Sequence, residues 1–275
     1  MRIPSDAGEC FAPIAAVSAG MPLYRAVKRA LLSAIEEARF APGDALPAEA
    51  ELAAAFEVSV GTLRKAVDEL AAEHIVVRRQ GRGTFVARHD ATRLMFQFFH
   101  VERSDGLREL PAVELLTFQR TRADEAAAQA LQLRVGDPVV EIENLLRLQG
   151  RPVIHDRITL PAALFRGLAE RRIRERPGTL YQLYQTGFGI TVLRALERAR
   201  AVAADRVSAR VLGIAAGAPV IEVRRTALSF SDRPVEHRIS IVDTARHDYV
   251  NVVDRPAAAS GSVAEGFAAV RWKPS

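Results

Sequence analysis

The stretch from Leu46 to Ala87, LPAEAELAAAFEVSVGTLRKAVDELAAEHIVVRRQGRGTFVA, constrains this chain more than any other. Two short helical patterns sit almost back to back in it. The first carries Leu52, Ala53 and Phe56, and the second carries Leu63, Ala66, Val67 and Leu70 at i, i+3, i+4 and i+7, the spacing that gathers apolar side chains on one helix face. Only Glu57, Val58 and Ser59 separate them, and Ser59 is a good N-cap for the second helix, its hydroxyl accepting an otherwise unpaired backbone N–H. Then come two β-prone runs, Ile75-Val76-Val77 and Thr84-Phe85-Val86, around Arg78-Arg79-Gln80-Gly81-Arg82-Gly83, a hairpin whose glycines permit the turn.

A further helix precedes this stretch. Pro22 starts it, Leu23, Val27, Ala30, Leu31, Ala34 and Ile35 recur at helical spacing, and Pro42-Gly43 break it. Three short helices, a tight turn between the last two and a basic hairpin make a winged helix-turn-helix, a DNA-reading layout. On the third helix the face opposite the apolar stripe shows Gly61, Lys65 and Asp68, flanked by Thr62 and Arg64. Two readings of that face stand at this point. It is either a groove-facing surface or a solvated one decorated by the i, i+4 pairs Arg64–Asp68 and Lys65–Glu69, each worth only ~0.2–0.5 kcal/mol. The hairpin favours the first, because an arginine held between two glycines suits a minor groove.

Charge placement agrees, although charge totals do not. The chain has a formal net charge of +5, yet residues 1–90 hold eleven Lys+Arg against twelve Asp+Glu. Residues 74–88 hold Arg78, Arg79, Arg82 and Arg88 and no acid, so the positive charge is concentrated at the hairpin. At 275 residues, 49% of them hydrophobic, the chain suits two globular domains. One cysteine, Cys10, leaves neither an internal disulfide nor a cysteine zinc cluster and fits a cytoplasmic setting. No run approaches the ~18 apolar residues of a membrane span. Residues 1–20 and 254–275 read as flexible tails, 21–88 as the DNA-reading head, 89–94 as a linker and 95–253 as a second domain.

That second domain contains an internal repeat. ALQLRVGDPVVEIENLLRLQGRPVIHDRITL aligns with VLGIAAGAPVIEVRRTALSFSDRPVEHRISIV. Gly136 matches Gly217 and Pro138 matches Pro219, then after a one-residue insertion Pro152 matches Pro234 and His155 matches His237. Each copy ends a helix, turns at Gly-x-Pro and runs through two strands, which predicts an α+β domain with one antiparallel sheet. Met95–Val101 and Ala112–Gln119 read as further strands and Ala123–Leu133 as a helix. His155 and His237 invite a metal reading, but without carboxylate or cysteine support they are equivalent positions inherited through duplication.

The elements P-L-Y, P-G-x-x-L-P, V-S-x-x-T-x-R and Q-G-x-G-T-x-V, in that order over residues 22–87, closely resemble the winged helix-turn-helix of the GntR family of bacterial transcription regulators. The resemblance implies that Ser59, Thr62, Arg64, Gln80, Gly81 and Arg82 meet DNA. Two departures, Val60 and Ala50 where many members have basic residues, imply an altered operator preference and a larger share for Lys65. Residues 95–250, with L-x-L-x-x-G-D-P-V, R-P-V-I-H-D-R-I-T-L-P and T-L-Y-Q-L-Y, resemble the UTRA effector-binding domain of the HutC-type subfamily, similar in fold to chorismate lyase. That resemblance implies a small, often anionic effector near Arg147, Asp156 and Thr179. Leu145 stands where many members carry another arginine, which weakens the case for a phosphate. His100, Arg157, Glu236 and Arg238 are further candidates from the strand pattern, against the alternative of structural ion pairs.

These readings predict a metabolite-responsive regulator, a homodimer on a palindromic double-stranded DNA operator, released by its effector, with no metal and no catalytic residues. The alternatives are a chorismate lyase-like enzyme, for which the sequence offers no nucleophile motif or metal spacing, and a DNA-binding protein with a non-functional effector domain.

Overall fold

The computed structural model describes residues 11–14, 22–88 and 97–251. The head is built from α1 (Leu23–Glu36), α2 (Glu49–Ala55), α3 (Val60–Ala72) and the hairpin β1 (Val76–Arg79) and β2 (Gly83–Val86). Its core is the apolar stripes of the three helices, with Val27, Leu31, Leu52, Phe56, Leu63 and Leu70 all buried. Local chemistry sets the helix starts. The Ala48 N–H donates to Glu51 Oε2 at 2.9 Å, and the Thr62 N–H donates to Ser59 Oγ at 3.1 Å. Between α2 and α3 the chain reverses through Glu57, at φ +54°. In the wing Arg79 pairs with Gly83, and the Arg82 N–H closes the tip onto the Arg79 carbonyl at 2.9 Å.

One part of the expected N-terminal tail is packed instead. Phe11 lies 4.6 Å from the Phe56 ring centre and stacks on Phe40, and Ile14 donates its N–H to the Phe56 carbonyl. Two apolar anchors three residues apart, Phe11 and Ile14, are too few to mark an element in the sequence pattern. The rest of residues 1–20, the linker at 89–94 and the segment 254–275 lie outside the described residues.

The second domain runs β3 (Val101–Arg103), β4 (Ala112–Arg122), α4 (Glu125–Leu131), β5 (Pro138–Leu148), β6 (Arg151–Pro161), α5 (Glu170–Arg174), α6 (Leu180–Phe188), β7 (Arg194–Ala203), α7 (Arg206–Leu212), β8 (Pro219–Leu228), β9 (Pro234–Val242) and β10 (His247–Tyr249). Its sheet is fully antiparallel in the order β4-β5-β6-β9-β8-β7. The order is symmetric about the centre because the repeat is longer than the sequence alignment shows. β4-α4-β5-β6 is one copy and β7-α7-β8-β9 the other, with Asp124 and Asp205 capping the equivalent helices. At the centre Arg157 pairs with Ile239, the residue that the repeat makes its equivalent, so a pseudo-two-fold axis passes between them. Each helix covers the other half's central strand, α4 on β9 and α7 on β6.

The two sheet faces are therefore different. Leu145, Ala209, Leu212, Val220 and Ile241 pack on the α4/α7 face. Ile142, Ile158, Leu160, Phe165, Tyr181 and Tyr184 pack on the other, under α6. The expected strand over Met95–Val101 is not formed: residues 95 and 96 lie outside the described residues, 97–100 are not strand, and Val101–Arg103 pairs with β10.

The two domains touch through α6 and a 3-10 turn, Phe230–Asp232. Phe230 is buried in the head's own core cluster, with Phe40, Ile75 and Val86. Gln185, on α6, donates from Nε2 to the Ala87 carbonyl at 3.2 Å.

Candidate DNA-reading face and effector cavity

The residues expected to meet DNA lie at the start of α3 and at the wing tip, all exposed except the half-buried Thr62. Ser59 Oγ and Thr62 Oγ1 lie 2.9 Å apart at the start of α3. Arg64 does not pair with Asp68, and Lys65 does not pair with Glu69. Arg64 Nε instead donates to Glu49 Oε2 at 3.1 Å, and Arg78 Nη2 reaches Glu49 Oε1 at 3.1 Å and Asp68 at 2.8 Å. Glu49 thus joins the reading helix to the wing. Glu69 is taken by Lys28 at 2.9 Å, and the Lys65 ammonium sits 4.1 Å from the Tyr24 ring centre. Gln80, Gly81 and Arg82 are exposed at the wing tip, where Gly81 and Gly83 take φ +68° and +100°. Such exposed ion pairs contribute ~0–1 kcal/mol, so phosphate oxygens can replace Glu49 at little cost.

On the α6 face of the sheet lies a cavity of about 370 Å³. Sheet alternation decides who lines it. From β5 it receives Asn144 and Leu146, from β6 Ile154 and Asp156, from β8 Val223 and Arg225, and from β9 Arg238, Ser240 and Val242. Its far walls come from Phe98, His100, Tyr249 and the approach to α6, Arg176 through Gln182.

The charges around it form two paired groups. Glu236, at zero exposure, accepts from Tyr181 Oη at 3.0 Å, Tyr184 Oη at 2.8 Å and Arg238 Nε and Nη2 at 3.0 and 3.1 Å. Arg238 also donates to Asp156 at 3.0 Å, whose other oxygen takes Ser240 Oγ at 2.6 Å. In the second group Arg225 donates to Glu197 and, at 2.5 Å, to the Phe98 carbonyl, while Tyr249 Oη donates to Glu197. Burial works to raise the pKa of Glu236, but the Arg238 charge, the hydrogen bonds from Arg238 and Tyr184 and the nearby Arg225 together outweigh it and hold the carboxyl below its ordinary value. Glu197 is likewise held down by Arg225 against its burial. Burial pushes both tyrosine hydroxyls up, so they remain donors. His100, 3.7 Å from Glu197, is pushed down by burial more than Glu197 lifts it.

Of the residues singled out from the sequence, His100, Asp156, Thr179 and Arg238 line this cavity, and Glu236 sits in the layer beneath, bonded to Arg238. Arg147 and Arg157 do not line it. Arg157 follows the inward Asp156 by one residue and so projects from the opposite face of β6, exposed. Arg147 lies just past a register shift after Leu146 and pairs with Glu114 at 3.2 Å on the neighbouring strand. The sequence reading missed Asn144, Arg176, Arg225, Ser240 and Tyr249. A signal for two of them existed: the repeat sets Asn144 opposite Arg225 in the alignment, as it sets Asp156 opposite Arg238. His155 and His237 lie on the other face, His155 Nδ1 3.2 Å from Ser208 Oγ. No cluster of three metal-binding side chains occurs among the described residues, nor does any described helix have the length and apolarity to cross a membrane.

Comparison with known proteins agrees with both halves. Residues 23–86 match the family described as "Bacterial regulatory proteins, gntR family", and residues 107–248 match the UTRA domain. The HTH-type transcriptional repressor NagR of Bacillus subtilis is 26% identical over 238 residues, covering 86% of this chain and 96% of its own length. The HTH-type transcriptional repressor PhnF of Mycolicibacterium smegmatis is 30% identical over 211 residues, covering 77% of this chain and 85% of its own. Among solved structures, the ligand-binding domain of a GntR-family regulator from Bordetella bronchiseptica aligns with a TM-score of 0.55 at 32% identity, covering 58% of this chain and 99% of that one.

Proposed function

The chain belongs to the gntR family of bacterial regulatory proteins, with a UTRA domain behind its DNA-reading head, and from that premise we propose that it is a repressor released from its operator by a small molecule seated in the α6 cavity. It is a DNA-binding transcription regulator rather than an enzyme, as the relatives that cover most of its length are. The sign follows those relatives, which are named repressors.

One observation carries the proposal. The nine-residue helix α6 reaches the cavity at Thr179–Gln182 and the head at Gln185, so a single rigid element touches both the ligand space and the root of the wing. A ligand that engages the N-terminal end of α6 displaces its C-terminal end against Ala87 and alters how the head is held. In a homodimer on a palindrome the two reading helices lie about one DNA turn apart, ~34 Å, so a small change in head placement costs affinity at both half-sites. Arg64 and Arg82 carry the contacts that position the head, with Ser59, Thr62, Lys65, Gln80 and Gly81 beside them.

The test fills the cavity. A Val223→Phe protein that still folds and still binds a selected operator duplex should no longer release it with the molecule that releases the unsubstituted chain. Release that persists with the cavity filled places the effector elsewhere.

A further inference from the structure

The charge balance of the cavity indicates what kind of molecule it takes. This inference rests on the reading of the cavity as the effector site and goes on to its chemistry. Three arginines stand at the wall, and two are already neutralised: Arg238 by Glu236 and Asp156, and Arg225 by Glu197. Arg176 is different. Its Nη1 donates to the Ile173 carbonyl, and no carboxylate pairs with it among the described residues. Its Nε is buried with no hydrogen-bond partner there, and burial pushes its pKa down. Three residues later Thr179 caps α6, its Oγ1 accepting the Gln182 N–H at 3.1 Å, at the positive end of the helix dipole.

A second, independent group faces the same space. Asn144 is 1% exposed, lines the cavity, and its Oδ1 has no hydrogen-bond partner among the described residues. An acceptor left unpaired in a buried wall is satisfied when the occupant brings a donor. The rest of the wall is mixed, apolar at Phe98, Val101, Leu146, Ile154, Val223 and Val242 and polar at His100, Gln182, Ser240 and Tyr249.

We propose that the occupant is a small monocarboxylate of mixed polarity bearing a hydroxyl or N–H donor, its carboxylate held between the Arg176 guanidinium and the N-terminus of α6, its donor on Asn144 Oδ1. A phosphomonoester is disfavoured by the same accounting. It carries about −1.5 to −2 charges, whereas the wall supplies one uncommitted guanidinium and keeps Asp156 at its surface with Glu197 and Glu236 behind. Arg147, the cation that would have made a pair, is outside the cavity. At about 370 Å³ the space stands at the small end of the ~300–1,000 Å³ common for metabolite sites, which suits one ring or a short branched chain.

Calorimetric titration of the full chain tests this with defined probes: 4-hydroxyphenylacetate, the same molecule as its neutral amide, phenylacetate without the donor, and benzyl phosphate and glucosamine 6-phosphate as phosphomonoesters. The hydroxylated carboxylate should bind at least about tenfold tighter than its amide and than either phosphate, the worth of one charge-assisted hydrogen bond. Arg176→Gln should remove that advantage over the amide, and Asn144→Leu should erase the preference for the hydroxyl while keeping the preference for the carboxylate. Equal or tighter binding of a phosphate, unchanged carboxylate affinity in Arg176→Gln, or no binding by any probe at millimolar concentration overturns the assignment. Val223→Phe separates the two levels of the argument. A phosphate whose binding is lost in Val223→Phe leaves the cavity as the effector site and overturns only the carboxylate, whereas a probe whose binding survives filling overturns the cavity itself.

Discussion

Glu236 shows how much of the effector domain hangs on one side chain. It is fully buried, and two tyrosine hydroxyls and the Nε and Nη2 of Arg238 donate to it. A hydrogen bond to a buried charge is worth about 1.5–3 kcal/mol, so Tyr184→Phe should lower unfolding stability by about that much in a urea titration with the m-value unchanged. Glu236→Ala should cost more, about 3–5 kcal/mol, because it leaves Arg238 under-compensated in the interior. The histidines set a pH dependence of definite sign. Burial pushes His155 and His237 below the ordinary imidazole value, so the folded state keeps them neutral and the stability they contribute is fully present above about pH 6.5 and lost as pH falls through their folded values. The melting temperature should therefore fall between about pH 7 and about pH 5, and a His155→Gln, His237→Gln protein should show a flatter profile. A profile as steep in the double variant would assign the acid sensitivity elsewhere. At this scale the sequence misled where a single residue of register mattered. Asp156 and Arg157 are adjacent, and only the inward one meets the cavity. Arg147 follows the inward Leu146 by one residue and so lies on the opposite face of β5.

The helices and the wing were legible because their signals are local. A stripe at i, i+3, i+4 and i+7, a serine cap and two positive-φ glycines each lie within a few residues, and α3 begins at Val60 behind Ser59 as the spacing predicts. Strand partners were not, because they are set by contacts far apart in sequence: the strand expected over Met95–Val101 gives way to the shorter β3, which pairs with β10 near the end of the domain. α6 is the element on which the proposed control rests. Gln185→Ala removes its hydrogen bond to the Ala87 carbonyl but leaves the cavity-lining turn intact. Ligand affinity of that variant should stay close to that of the unsubstituted chain, while the ligand's effect on operator affinity shrinks from a typical 5–150-fold coupling toward none. Measuring operator affinity with and without saturating ligand for both proteins checks it, and an undiminished ratio would remove α6 from the path.

Across the whole molecule, the order of the two domains and the existence of the repeat were readable, since each repeat carries its own Gly-x-Pro turn and cap. The extent of the repeat was not, because β4 and β7 share the fold without sharing enough side chains to align. The duplication has a physical consequence: it brings Asp156 from one half against Arg238 from the other, two positions the repeat equates, and so builds a charged seam under the cavity. The head docks on this domain through Phe230, buried among head residues, which ties the placement of α3 and the wing to the UTRA domain. The central claim, that this surface reads DNA, is tested most directly by the affinity of the full chain for an operator duplex selected from random sequence, measured at fixed salt for the unsubstituted protein, Arg64→Ala and Arg82→Ala. The account predicts a loss of about 1–3 kcal/mol for a substituted arginine that reads a base, roughly tenfold or more in affinity. Unchanged affinity in both variants would contradict it.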